Sequence, residues 1–359
     1  MSQRESEAAD MLGQLVLGKY RVTRPLDEGG MSRIYLARQT DPAREVVVKV
    51  LKDHLLRETK TVEHFRREIY IMSRFRHPHA VEVYDSDARG PRGPVMVMEY
   101  LRGADVNAVL AREGRFTPER VGRLLAQLCE VLQAAHDQGI VHRDLKPGNL
   151  MLLNPGTPQE TLKLMDFGLA KMVSMLYIAP DELVDFRLPP ASGTPEYISP
   201  EMVRGTEMDG RGDLYSVGVL LFELLTGRRP FLHPTVQALM LAHADERPPT
   251  FAEAGMADRV PAEVEAVVQR CLAKTPDDRP KTASDLLREY ERAIGRRFTA
   301  QRAAPSKPRM LAVPADDAPV ERNSVQHTIE ATMPEVMALY KLKGFVADLG
   351  GEVLGSVPG

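Results

Sequence analysis

The sequence predicts an α+β fold built as two lobes or domains. Strand patterns lie in the first part of the chain, at residues 20–26, 34–38, 45–50 and 94–98. Helical patterns dominate from residue 117 onward, and strands followed by helices are typical of α+β folds. The length of 359 residues exceeds the usual size of one domain, which favours two lobes or domains with extensions.

The composition is that of a soluble globular protein, with 43% hydrophobic and 27% charged residues. A net charge of −3 gives no general attraction to nucleic acid or anionic membranes, so neither partner is expected. Cys129 and Cys271 lie in apolar helical patterns, which favours reduced thiols in a cytosolic protein. The start of the chain does not resemble a secretory signal, and the apolar run 214–222 is too short to span a bilayer. We therefore expect a cytoplasmic protein without a membrane span.

Two motifs between residues 141 and 168 carry the predicted chemistry. HRDLKPGN occupies 142–149, and DFG follows at 166–168 after a short hairpin-like connection. Phosphoryl transfer needs a carboxylate that orients or deprotonates a hydroxyl, oxygen ligands for Mg²⁺ and a cation near the moving phosphate. The two motifs supply all three, and their order and spacing make a coincidental pair of acidic loops a poor explanation.

These motifs resemble those of the protein kinase family, in its serine/threonine branch, and most closely the eukaryotic-like kinases of bacteria. The resemblance extends from about Tyr20 to about Ile294. It implies a two-lobed protein-kinase-like fold within a domain at 18–294. A small antiparallel sheet with one helix would form the N-lobe at about 18–98, and a hinge at 99–102 would join it to a larger, mainly helical C-lobe at 103–294.

The family's glycine-rich loop corresponds to residues 27–34, DEGGMSRI. Gly29 matches the middle glycine and Gly30 lies beside it, so both are expected to contact the nucleotide phosphates through backbone N–H groups. Asp27 and Ser32 replace the outer glycines. The Asp27 carboxylate either repels the phosphates or faces solvent at the end of the strand.

Lys49 ends an apolar strand, where a lysine is costly to bury unless anions meet it. The resemblance implies that Lys49 binds the α- and β-phosphates and pairs with a glutamate on the next helix. Glu68 is the expected partner, because Phe65, Ile69 and Met72 recur at helical spacing and place it at the edge of the core face. The alternative is that Glu68 is an ordinary solvated helix charge.

The resemblance also assigns the nucleotide pocket. Met98 is expected behind the adenine, and the backbone of Glu99 and Leu101 is expected to bind the edge of the base. Asp105 matches the position that contacts ribose, although a helix N-cap explains it nearly as well. The expected apolar walls are Leu26, Ile34, Val47 and Met151.

The catalytic roles follow from the same resemblance, with ATP and Mg²⁺, or alternatively Mn²⁺, as cofactors. Asp144 is expected to accept or orient the proton of the substrate hydroxyl, and Lys146 to neutralise the γ-phosphate. Asn149 and Asp166 are the expected metal ligands. Lys49 and Glu68 complete the catalytic set.

Three further residues are expected to support the larger lobe. Glu201 should form a structural ion pair with Arg279, and Asp213 should brace the catalytic loop from the start of a helix. Thr117 and Pro118 are a helix start, and that helix is expected to continue to about Gln138.

The predicted function is a serine/threonine kinase that phosphorylates proteins, including itself, with a homodimer as a means of phosphorylation in trans. Lys146 and Thr194 favour serine/threonine specificity. The first alternative is a pseudokinase, a nucleotide-binding or scaffolding module with little turnover, which Asp27 and Ser32 favour. A small-molecule kinase is the second, and the docking loop GTPEY at 193–197 weighs against it.

The remaining segments are predicted from composition. Residues 1–17 form a flexible leader, 295–323 a solvated linker, and 324–359 a partial helix–strand segment that could begin a further domain. In segment 169–192 an acidic side chain is expected to partner Arg143 without an obligatory phosphate, and a solvated, disordered loop is the alternative. Ser192 is the best candidate acceptor if phosphorylation of this segment matters.

Overall fold

The smaller lobe contains a curled antiparallel sheet and one long helix. The structure is a computed structural model, which describes residues 11–90, 92–166, 195–256 and 259–298. The strands are β1 Leu15–Val16, β2 Tyr20–Glu28, β3 Ser32–Gln39, β4 Arg44–Leu51, β5 Val83–Asp87 and β6 Val95–Glu99, and helix α1 spans Thr59–Met72. They pair in the order β1-β2-β3-β4-β6-β5, and each pair is antiparallel.

Alternation along β4 divides the smaller lobe into two layers. Val46 and Val48 are fully buried in a cluster on one face of the sheet. Val47 and Lys49 project from the opposite face, as the two-residue period of a strand requires. Helix α1 lies on the side of the main core, where it buries Phe65. The sheet therefore presents Lys49 toward α1.

The larger lobe is mainly helical. Its helices are α2 Val106–Glu113, α3 Pro118–His136, α4 Pro200–Arg204, α5 Gly210–Thr226, α6 Val236–Asp245, α7 Ala262–Cys271 and α8 Ala283–Ile294. A small sheet, with β7 Gly103–Asp105, β8 Leu150–Leu153 and β9 Thr161–Leu164 in sequence order, lies next to the motif-bearing loops. The two-lobed α+β prediction is confirmed.

Local sequence signals explain several helix boundaries. The Thr117 side chain accepts a hydrogen bond of 3.3 Å from the Arg120 amide and caps α3, with Pro118 at its first position. Helix α3 ends at His136, two residues before the predicted end, and Gly139 then takes a φ of 70°. The apolar run 214–222 is buried inside α5. None of the described helices is both long and apolar enough to cross a membrane.

Two predicted extensions make contacts with the folded lobes. Leu15 and Val16, at the end of the predicted leader, pair with Arg21 and Tyr20 as strand β1. Phe298, which lies in the predicted linker, is 7% exposed and packs against α3. A side chain on Gly122 would place a Cβ atom 2.3 Å from the Phe298 ring, so only glycine leaves room there. The predictions for 167–194 and 299–359 lie outside the described residues.

Candidate active site

The lysine at the end of β4 joins the two lobes. Its ammonium group donates one hydrogen bond of 2.8 Å to Glu68 of α1 and another of 2.8 Å to Asp166, just after β9. Lys49 and Glu68 are both buried. Glu68 lies 19 positions after Lys49 in the sequence, and Asp166 lies 117 positions after it. The structure therefore brings three distant residues together.

In this cluster a buried lysine keeps its charge between two carboxylates. Burial alone would lower the pKa of Lys49, but Asp166 and Glu68 together raise it, so the lysine stays charged. Burial opposes ionisation of Asp166, yet Lys49 outweighs it and lowers the pKa of Asp166. Burial raises the pKa of Glu68, and the attraction of Lys49 offsets only part of that rise.

The catalytic-loop residues converge on the Asp144 carboxylate. The Asn149 amide nitrogen donates to the Asp144 carbonyl at 2.7 Å and to its Oδ2 atom at 2.8 Å. The Lys146 ammonium lies 3.3 Å from the same Oδ2 atom. Because Asn149 uses its nitrogen for Asp144, its Oδ1 atom is the one that can face a cation.

Asp213 braces this loop from beneath, as predicted. Its carboxylate accepts hydrogen bonds of 2.8 Å each from the backbone N–H groups of His142 and Arg143. The His136 ring donates to it from the end of α3 at 2.8 Å. Burial opposes its ionisation. The hydrogen bond from His136 and the electrostatic attraction of the His136 and His142 rings nevertheless lower the pKa of Asp213. A buried anion thus fixes the loop backbone, including Arg143 at a strained φ of 67°.

The glycine-rich loop forms a tight β2–β3 hairpin. The Gly29 amide donates to the Ser32 carbonyl at 3.0 Å, and Gly30 is exposed at the tip. The Asp27 carboxylate is exposed and accepts from the Glu28 amide at 2.8 Å. The Glu28 carboxylate pairs with Lys52 at 2.8 Å, which fastens the hairpin to the end of β4.

The predicted nucleotide pocket lies along the junction of the lobes. Met98 is 7% exposed and faces Val47 across β6 and β4, while Ile34 faces Lys49 across β3 and β4. Leu101 is half-buried at the hinge. The predicted walls Leu26, Ile34, Val47 and Met151 are all half-buried, as residues that line a cleft should be.

Asp105 is a helix N-cap, which was the alternative to the predicted ribose contact. Its Oδ1 atom accepts a hydrogen bond of 2.9 Å from the Ala108 amide and caps α2. Asp105 pairs with Met151 across β7 and β8, so it remains beside a predicted pocket wall. The ribose contact stays a prediction.

One residue near the cleft was missed by the sequence reasoning. The Lys163 ammonium, on β9, donates to Glu99 at 2.7 Å and to the Ala80 carbonyl at 3.2 Å. The same Glu99 oxygen accepts from the Glu82 amide at 2.8 Å. The Glu99 side chain therefore turns toward the rear of the hinge. The alternating β9 sequence TLKL gave no signal for this partner.

The structural ion pair of the larger lobe forms as predicted. Arg279 is fully buried and binds both carboxylate oxygens of Glu201, at 2.7 and 2.9 Å. Its remaining N–H groups donate to carbonyls such as that of Ala273 at 2.8 Å. This pair anchors the residues that follow the docking loop.

The described residues fit a nucleotide with a divalent cation. Within the described ranges, no group of three or more His, Cys, Asp or Glu side chains could hold a metal ion alone. Mg²⁺ commonly takes one or two protein ligands and completes its shell with phosphate oxygens and water. The Asp166 carboxylate and the Asn149 amide oxygen suit that pattern, and Lys49 supplies a charge for phosphates.

Comparison with known families gives one match over most of the chain. The family described as "Protein kinase domain" matches residues 20–290. These limits include the Lys49 cluster, the catalytic loop and the Glu201–Arg279 pair.

Two of the curated relatives are kinases of bacteria. The chain is 33% identical to serine/threonine-protein kinase pkn3 of Myxococcus xanthus over 335 residues, which cover 92% of this chain and 60% of the relative. It is 36% identical to serine/threonine-protein kinase PknB of Mycobacterium tuberculosis over 273 residues, 75% of this chain and 42% of the relative. The chain thus spans about half the length of these relatives.

A solved structure shares the fold. The PknI kinase domain of M. tuberculosis superposes with a TM-score of 0.59 at 23% identity, and the match covers 79% of this chain and 98% of that one. At this identity the likeness concerns the fold alone.

Proposed function

This chain belongs to the protein kinase family, and we propose that it is a serine/threonine kinase that transfers the γ-phosphate of ATP to hydroxyl groups of proteins, itself included. One observation carries the proposal. Lys49 is held by Glu68 and Asp166 at 2.8 Å each, while Lys146 and Asn149 converge on Asp144 at 3.3 and 2.8 Å. A binding module would have little use for both clusters.

The first cluster would hold the nucleotide. Bound ATP supplies the phosphoryl group, and a divalent cation, which we propose to be Mg²⁺, offsets the charge on its phosphates. Lys49 would bind the α- and β-phosphates, with Glu68 fixing its position. Asp166 and the Asn149 amide oxygen would hold the cation. Met98 and the backbone of Glu99 and Leu101 would hold the adenine.

The second cluster would act on the substrate hydroxyl. Asp144 would orient the hydroxyl and accept its proton, and its fixed geometry follows from the bonds that Asn149 and Asp213 make to the loop. Lys146 would neutralise charge on the phosphoryl group during transfer. The chemistry is positioning and electrostatic stabilisation, without a covalent intermediate.

The partners and setting are part of the proposal. Protein substrates would bind near the docking loop, and a second copy of the chain would serve as a substrate for phosphorylation in trans. We propose a cytoplasmic location and no nucleic-acid partner, in keeping with the net charge of −3.

The test compares wild type with Asp144→Asn on a generic basic protein, with labelled ATP and Mg²⁺ or Mn²⁺. We expect phosphoserine or phosphothreonine from wild type, and almost none from the variant, because the base is lost while the fold and ATP binding remain. Equal incorporation by both proteins would favour the pseudokinase alternative, with the label arising from a contaminant. Phosphotyrosine as the main product would contradict the proposed specificity.

A further inference from the structure

A cavity of about 290 Å³ lies behind the predicted hinge, outside the nucleotide cleft. Its lining residues are Arg76, His77, Pro78, Val81, Glu82 and Lys163. The volume corresponds to about ten water molecules and lies at the small end of ligand pockets. It could therefore accept a compact organic molecule.

The cavity adjoins the seam between the lobes. The Val81 amide donates to the Leu164 carbonyl at 2.9 Å, and the Leu164 amide donates to the His79 carbonyl at 2.8 Å. These bonds tie the segment before β5 to strand β9 of the larger lobe. A ligand in the cavity would thus contact both sides of the seam.

Lys163 lines the cavity with a positive charge and has a hydrogen-bond donor left for a ligand. Its side chain is only 15% exposed. In the described part of the chain its ammonium has two acceptors, the Glu99 carboxylate and the Ala80 carbonyl. An ammonium group has three N–H donors, so one remains for a further acceptor. An anionic ligand would accept a charge-assisted hydrogen bond from that third N–H group.

The rim favours a singly charged anion. Arg76 is 74% exposed, and its guanidinium lies 3.8 Å from the Glu82 carboxylate, which is too far for a hydrogen bond. Arg76 can therefore turn toward a ligand. Glu82 would repel a doubly charged phosphate more than a carboxylate, while Pro78 and Val81 supply an apolar wall for the rest of the molecule.

We propose that this cavity binds a small monocarboxylate with a compact apolar body, its carboxylate held between Lys163 and Arg76. Lys163 also holds Glu99, and the Glu99 amide donates to the Glu82 carbonyl at 2.9 Å. A carboxylate bound to Lys163 competes with Glu99 for the lysine charge, which weakens the support of the hinge and therefore ATP binding. This second part rests on the proposed function.

The test uses para-fluorobenzoate as the probe and fluorine NMR of the full chain. We expect saturable binding to wild type, loss of binding in Lys163→Met and weaker binding in Arg76→Ala. Arg292→Ala, which removes a cation from a different surface groove, should bind as wild type does. The neutral para-fluorobenzamide should not bind. Since Arg76 is exposed, its variant remains informative even if Lys163→Met fails to fold.

Binding of the probe requires no phosphoryl transfer, so the experiment can refute the cavity proposal without refuting the kinase proposal. Absence of saturable binding to wild type, or unchanged binding in Arg76→Ala and in folded Lys163→Met, would overturn the site. If the two sites are coupled, ATP must lower the affinity for the probe by the same factor as the probe lowers the affinity for ATP. We expect this factor to be about fivefold. A probe Kd that saturating ATP leaves unchanged would overturn the coupling to the hinge.

Discussion

Lys49 on β4 donates a hydrogen bond of 2.8 Å to Glu68 on α1, and both side chains are buried. The bond fixes the only long helix of the described smaller lobe against its sheet. It also sets where the lysine charge lies relative to Asp166, to which Lys49 donates a second bond of 2.8 Å. The position of α1 and the charge available to a nucleotide are therefore linked.

Replacing Glu68 by Gln should reduce phosphoryl transfer by about a hundredfold, because a misplaced lysine no longer orients the phosphates. The fold should persist, since Asp166 still partners Lys49. Steady-state rates with a generic basic protein measure the effect. Glu63→Gln is the matched control, because Glu63 lies exposed on the same helix and pairs with Arg66. Equal losses in both variants would mean that the buried pair has no special role.

Replacing Asp27 by Gly should tighten ATP binding by about 1 kcal/mol if the carboxylate faces the phosphates. The exposed position of Asp27 leaves it free to do so, although it accepts a bond from the Glu28 amide. Titration calorimetry measures the change. Asp27→Asn separates the effect of the charge from the effect of the side chain, since it removes the charge but keeps a side chain. Unchanged or weaker binding in Asp27→Gly would mean that Asp27 points away from the nucleotide.

Replacing Arg279 by Ala should lower the free energy of unfolding by about 3 to 5 kcal/mol, because Glu201 is left as a buried, unpaired charge. Urea denaturation measures this. Arg288→Ala is the control, since Arg288 pairs with Asp285 at the surface with 63% of its side chain exposed; its cost should be at most about 1 kcal/mol. Similar costs for the two variants would contradict the burial argument.

The sequence predicted those features of the fold and the site that depend on residues close together in the chain. Lys49 at the end of an apolar strand and Glu68 beside a helical core stripe are such cases, and the structure joins them. The Thr117 cap and the Asp105 cap were likewise visible, because a cap uses residues only three positions apart.

Contacts between distant segments were not visible. Arg120 on α3 binds Glu160, 40 positions later, through a doubly bonded, buried pair. In the sequence each looks like an ordinary surface charge. The Lys163–Glu99 bond and the packing of Phe298 on Gly122 are of the same kind. Only the three-dimensional path of the chain brings these partners together.

Stability should fall as the pH drops from neutral, with His243 as one cause. Burial lowers the pKa of His243 from 6.5 to about 3, with Lys274 acting in the same direction. Between these values the unfolded chain binds a proton that the folded protein does not, so acid favours unfolding by up to about 1.4 kcal/mol per pH unit. Urea denaturation at about pH 7 and about pH 5 measures the slope.

His243→Phe should show a smaller loss of stability over that interval than wild type. Some loss should remain, because burial also lowers the pKa of His142. His54→Gln, a change at an exposed histidine, should keep the wild-type slope. The same slope in His243→Phe as in wild type would show that His243 is not the source.

The measurement that tests the account most directly is transfer of labelled γ-phosphate by wild type, Lys49→Met and Lys52→Met, with folding confirmed in each sample. Lys49 lies in the buried cluster, whereas Lys52, three residues later, pairs with Glu28 at the hairpin. The account predicts robust transfer to serine or threonine by wild type, nearly complete loss in Lys49→Met and largely retained transfer in Lys52→Met. Equal transfer by wild type and Lys49→Met, or no transfer by folded wild type with ATP and Mg²⁺, would contradict it.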